Sequence, residues 1–262
     1  MHTDARALAE LKKMLGNNQT AFNLLHDLEG DVELQSLIAH GNDIVVKRLN
    51  YNDHGRVHSL IACLNSLKVL DLLYKRDIEP NIVKERSCGY KDAQVVVLAS
   101  AYLHDIGDAV ARQMHYFHGV TLSSEPLRRM LERYYTGRRL HIIRASILEG
   151  IFAHDEEVEC TSIEAGCVAV GDGADMEHGR ARIPYILGKS DIHAFSALAI
   201  ERVEIKEGKE RPVCISIEMK NPAGVFQVER VLGEKIKSSG PVKDYVEVVG
   251  SISGKLKRFT FG

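Results

Sequence analysis

The sequence predicts a mainly α protein with a small C-terminal α+β unit. From Thr3 to about Leu198 apolar residues recur at helical spacing, whereas after about Ala199 they alternate with period two. The composition, 45% hydrophobic and 27% charged over 262 residues, is that of an ordinary globular chain and supplies enough apolar material for a full core. The change of period sets the expected division: a helical unit over 1–198 and a small α+β unit over 199–262.

The elements follow in order. Leu8, Leu11 and Leu15 line one helical face, with Gly16 as a stop. Asp31 reads as the N-cap of a helix through Ile38, and Asn42 or Asp43 as the start of another through Leu49. From His58 to Tyr74, Leu60, Ile61, Leu64, Leu67, Leu70, Leu73 and Tyr74 form a stripe. Pro80 opens the next segment, and Lys91 to Ile106 is an apolar helix ended by Gly107. Pro126 fits the first position of a helix through Tyr135. Arg139 to His154 and Ser162 to Gly171 complete the helical part. AIERVEIK and PVCISIEM, joined by EGKER, read as a β-hairpin. VFQVERVLGEKIK is helical, and DYVEVVGSI and KLKRFTF are two further strands around Gly254. This β-β-α-β-β unit shows no catalytic constellation, and its strand pairs would expose edges. It is expected to serve in dimerisation or small-molecule sensing, or to cap the helical core.

Lys plus Arg number 34 against 36 Asp plus Glu, a net charge of -2. A chain that binds nucleic acid through its phosphates is usually basic, so no nucleic-acid partner is expected. The longest apolar run, about Val95 to Leu103, is half a membrane span, and MHTDARALAELKK lacks an apolar leader core. The expectation is a cytoplasmic protein with no membrane partner. Five cysteines without a CxxC pair read as reduced, buried thiols.

The chain carries 12 histidines, and their places matter more than their number. His54 and His58 are four apart in YNDHGRVHS, one above the other if helical. His104-Asp105 ends the apolar run of ASAYLHDIGD, where an acid is costly unless something pairs with it. His115 and His118 follow in RQMHYFHG; His154-Asp155 ends ILEGIFAHD; Asp172 and Asp175 lie in CVAVGDGAD. Nitrogen and carboxylate donors without thiolate suit Mn, Fe, Mg, Ni, Co or Zn in a water-accessible site. A lone buried histidine is ordinarily a hydrogen-bonded core residue, and His26-Asp27 in NLLHDLEG shows that the dipeptide alone is weak evidence. The ordered series His58, His104-Asp105, Asp172 is more specific.

That series, carried by YNDHGRVHS, LHDIGD and GDGADMEHGRARIP, resembles the HD superfamily of metal-dependent phosphohydrolases over about residues 34–195. The resemblance implies an HD-type helical bundle in which His58, His104, Asp105 and Asp172 bind a divalent metal. Asp175 would contact substrate or support a ligand. Members with two metals add histidines between the doublet and the last Asp, which makes His115 or His118, and His154, ligands of a second ion, with Asp105 as the bridge. In the related cyclic-nucleotide phosphodiesterases a histidine four residues before the first ligand protonates the leaving oxygen; His54 has that spacing. The expected activity is hydrolysis of a phosphomonoester or phosphodiester of a small, nucleotide-like substrate, with His54 and Asp105 in the chemistry. The alternatives are a non-catalytic metal- and nucleotide-binding regulatory protein and a di-iron oxygenase. Arg144, Arg180 and Arg182, and more weakly Lys189, are candidates to hold the phosphate oxygens. Asp108 stands where many relatives carry Lys, the GYP-type signature is absent, and no Gly-rich phosphate loop occurs.

Overall fold

A computed structural model describes residues 3–85, 88–177, 192–252 and 254–261. Helices α1 (Thr3–Met14), α2 (Gln19–Gly30) and α3 (Val32–Asp43) pack at the N-terminal side. Asn18 and Asp31 cap α2 and α3, accepting from the Ala21 and Leu34 amides at 3.2 and 3.0 Å. No helix starts at Asn42 or Asp43. Helix α3 runs through both into a π-helical turn, Ile44–Arg48, and Asp43 makes no cap bond.

The centre of the molecule is α4 (Arg56–Tyr74), packed against α1, α6 (Tyr90–Leu103) and α9 (Ile163–Gly173). Its long axis is lined by buried Leu60, Leu64, Leu67, Leu70 and Leu73. It is long and apolar enough to cross a membrane by length and composition, and 61% of that stretch is buried inside the protein. A helix apolar on most sides is what a core position requires. Pro80 precedes the short α5 (Asn81–Lys84), whose first amides, those of Asn81 and Ile82, donate to the buried Glu164 carboxylate at 3.0 Å each. Helix α6 ends at Leu103, and a 3₁₀ turn, Ile106–Ala109, follows the His104-Asp105 pair.

Helix α7 (His115–Leu131) begins eleven residues before the expected start at Pro126, which lies inside it. Its entry is set by Met114 in the left-handed region, φ 56°, not by a side-chain cap. Helix α8 (Gly137–Phe152) crosses α6 where Gly150 meets Ser100, and α9 is capped by Ser162. Helix α10 (Ile192–Leu198) leads into the sheet.

Strands β1 (Ile200–Glu207) and β2 (Val213–Met219) form the expected antiparallel hairpin, and β3 (Val246–Ile252) pairs antiparallel with β4 (Lys255–Phe259). The two pairs are not separate. β2 lies parallel to β3, Val213 opposite Val246, giving one mixed sheet in the order β1-β2-β3-β4. The parallel crossover runs through α11 (Gly224–Gln227), a π-helical segment Val228–Leu232, and α12 (Gly233–Ser238). Ile215, Ile217, Leu232, Ile236 and Val248 belong to the same buried apolar cluster as Leu60, Leu98 and Ile147. The sheet unit therefore packs onto the helices through a continuous core.

Candidate metal centre

The apolar runs deliver polar side chains to one buried point. His58 lies in the first turn of α4, just after Gly55 opens the helix. The VVVLASAYL stretch of α6 enters the core and leaves His104-Asp105 in the turn beyond its end. His115 opens α7, His154 follows the end of α8, and Asp172 lies in the last turn of α9. All six side chains are buried.

Their donor atoms fall into overlapping groups. Nε2 of His58 and Nε2 of His104 are 3.0 Å apart. Asp105 Oδ2 lies 3.3 and 3.1 Å from them, and Asp172 Oδ1 lies 3.1 and 3.6 Å from them. On the other side of Asp105, the Nε2 atoms of His115 and His154 are 3.0 Å apart, with Oδ1 at 3.2 and 3.7 Å. Each oxygen of this one carboxylate thus faces a different histidine pair.

The remote ring nitrogens show what the near ones present. His104 Nδ1 lies 2.8 Å from the Ala101 carbonyl and His154 Nδ1 lies 2.7 Å from the Ile151 carbonyl. A carbonyl only accepts, so each Nδ1 carries the hydrogen, and each Nε2 offers a lone pair whenever its ring is neutral. His58 Nδ1 lies 2.6 Å from Asp175 Oδ2, so Asp175 orients that ring in the same sense. Lone pairs 3.0 Å apart, flanked by carboxylate oxygens, repel unless a cation or a shared proton lies between them. Asp105 Oδ2 is buried and accepts no well-formed hydrogen bond. The donor set therefore fits a divalent cation, and the buried His/Asp groups could hold one.

The electrostatics are those of a cation-seeking cluster. Burial opposes the charged form of His104, but Asp105 and Asp172 outweigh it and hold the ring at about 9. Burial opposes ionisation of Asp105 and of Asp172 as well. His104 and His54 at Asp105, and Lys235 and His104 at Asp172, pull both well below the usual carboxylate range. Burial, with nearby Lys235, pushes His154 down to about 3. Asp108 is pushed up to about 7 by burial and by Asp105.

The sequence candidates divide. His58, His104, Asp105, His115, His154 and Asp172 come together, with Asp175 behind His58. His54 is not in a helical turn with His58, because α4 begins at Arg56. Its ring still lies 5.6 Å from that of His58, and its amide donates to Asn42 Oδ1 at 2.9 Å. His118 is not brought into the cluster: it is half-buried on α7 with its ring beside Phe117. Arg144 is engaged elsewhere, donating to the Ser124 carbonyl at 3.0 Å and to the Ser124 hydroxyl. Arg180, Arg182 and Lys189 lie outside the described residues.

Two cations at the centre were not foreseen. Lys235 of α12 is buried and places Nζ 2.9 Å from Asp172 Oδ2, 2.7 Å from the His154 carbonyl and 3.5 Å from Glu156. The C-terminal unit, in which the sequence shows no catalytic constellation, supplies this ammonium. In GEKIK it resembles any surface lysine, and no sequence signal marked it. Arg112 places Nη1 3.1 Å from Asp108 Oδ2 and 3.5 Å from Asp105 Oδ1. Its four-residue spacing from Asp108 was a signal that could have been read.

No family model matches the chain, and no solved structure matches it. The uncharacterized protein MJ1020 of Methanocaldococcus jannaschii is 43% identical over 220 residues, covering 84% of this chain and 85% of that one. At that identity, and over that share of both lengths, the chain belongs to the same family as MJ1020.

Proposed function

We propose that the chain is an HD-type metal-dependent phosphohydrolase that cleaves a phosphomonoester or phosphodiester of a nucleotide-like substrate with activated water. The observation that carries the reading is Asp105, whose two oxygens each face a separate pair of imidazole nitrogens at 3.1–3.7 Å. That arrangement suits two ions sharing one carboxylate, His58, His104 and Asp172 on one side and His115 and His154 on the other. Divalent ions held there would supply Lewis-acid polarisation of a phosphoryl oxygen and would lower the pKa of water at neutral pH.

The chain's own residues do the rest. Asp175 and the Ala101 and Ile151 carbonyls fix the imidazole orientation before any ligand arrives. Lys235 occupies the outer oxygen of Asp172 and leaves Oδ1 for the centre. His54, half-buried beside His58, is the proposed proton donor to the leaving oxygen. The surrounding apolar helices limit water and so strengthen each of these interactions.

Elemental analysis of the purified protein, paired with a panel of nucleotides and phosphoesters, tests the reading. The expected result is two divalent ions per chain and metal-stimulated phosphate or nucleotide release. Asp105→Ala should abolish ion retention and lower turnover by ~10³-fold or more. Retained metal and tight nucleotide binding with no turnover across the panel would replace the hydrolase with a non-catalytic regulatory protein.

A further inference from the structure

We infer that Arg112 is the phosphoryl clamp of this centre, held in place by the buried carboxylate of Asp108; the inference rests on the phosphohydrolase reading. Arg112 follows the 3₁₀ turn and precedes α7, so both flanks of its segment carry cluster residues, Asp105 before and His115 after. Among the described residues, one nitrogen, Nη1, makes all of its hydrogen bonds: 3.1 and 3.3 Å to the two oxygens of Asp108 and 3.5 Å to Asp105 Oδ1. Among the described residues, Nε and Nη2 donate to nothing, and the side chain keeps 31% of its surface exposed. A guanidinium pinned by one nitrogen presents its remaining edge as a fixed two-donor fork. That edge matches two non-bridging oxygens of a phosphoryl group.

Among the described residues, the other cations near the centre, Lys235 and Arg144, lack a comparable edge. Lys235 is spent on Asp172, the His154 carbonyl and Glu156, and Arg144 is spent on Ser124. Arg112 alone among these both lies within 3.5 Å of Asp105 and is open to solvent. A phosphoryl group that reaches the cluster from that side meets the fork directly.

Asp108 is the positioning residue. Its side chain is 1% exposed, and the backbone of α3 seals it from behind: a Cβ on Gly41 would lie 3.2 Å from Asp108 Cβ and 2.9 Å from the Ala109 amide. A carboxylate this enclosed cannot swing outward, so it anchors Nη1 in one place. The geometry also explains why an acid beside the metal ligands is compatible with an anionic substrate. Its oxygens face the Arg112 guanidinium, whose Nε and Nη2 have no partner among the described residues.

The test is equilibrium binding of orthophosphate to the metal-loaded protein by calorimetry, with metal content and thermal midpoint measured in parallel. Arg112→Lys keeps a cation for Asp108 but removes the fork. It should retain the full metal complement and midpoint while weakening orthophosphate binding by about tenfold or more. Asp108→Asn should weaken binding less, because the fork survives and only its anchor is loosened. Arg112→Lys that binds orthophosphate as tightly as the parent overturns the clamp and leaves the hydrolase reading standing. A metal-loaded parent that neither binds orthophosphate nor releases phosphate from any ester overturns both.

Discussion

His104 shows how one side chain reports the state of the whole centre. In the metal-free protein its folded value of about 9 exceeds the ordinary 6.5 because two carboxylates outweigh burial. Between those values the folded chain holds a proton that the unfolded chain has lost. Stability from this group is therefore complete below pH 6.5 and disappears as pH rises through 9, a loss of about 3 kcal/mol. Urea midpoints of the metal-free protein should fall across that window, and His104→Gln should flatten the fall. The same proton must leave when a cation binds, so metal affinity should rise over the same interval. A pH-independent affinity between 6.5 and 9 would contradict the assignment of His104 Nε2 as a donor to the ion. Not every histidine behaves this way: His154, by its burial and with the Lys235 charge nearby, is already neutral and ready to ligate.

At the scale of elements, glycines set the close crossings that bring the donors together. A Cβ on Gly107 would sit 1.8 Å from the His115 carbonyl oxygen and 2.5 Å from the Gly119 amide. The turn after Asp105 therefore lies against the start of α7, and Asp105 meets His115 for that reason. A Cβ on Gly171 would lie 2.1 Å from Ser66 Oγ, so α9 and α4 approach closely next to Asp172. Gly107→Ala should cost about 2 kcal/mol or more of stability and weaken retention of the ion between His115 and His154 more than the other. Chemical denaturation and metal stoichiometry read the two effects separately, and an unchanged stoichiometry would sink the link. The elements were legible where chemistry is local: Asp31 as a cap, Ser162 at the start of α9, Pro80 before α5, and the His104-Asp105 end of the apolar helix. They were misread where a general rule met a local exception. Pro126 suggested a helix start but is accommodated inside α7, and α2 passed unnoticed because Asn18 follows so closely on the Gly16 stop.

Across the whole molecule the sheet unit and the helical core are joined at the centre by Lys235. Gly173 makes room for its stem, since a Cβ there would meet Lys235 Cβ at 2.9 Å. Lys235→Met takes the nearest counter-charge from the buried Asp172, so the metal-free variant should lose up to about 3 kcal/mol. Loading the centre with a divalent cation should recover most of that loss. Denaturation with and without chelator decides it, and equal losses under both conditions would reject the coupling. This contact is the part of the site that the sequence hid. The ligand series lies in chain order along the helices, but the ammonium arrives by a tertiary contact from an element whose own pattern reads only as amphipathic. Its place also bears on how the protein is made. The carboxylate at Asp172 leaves the ribosome well before residue 235 does, and it waits without its counter-charge through that interval. Maturation of the centre therefore waits until the crossover that carries Lys235 has folded back onto the helices.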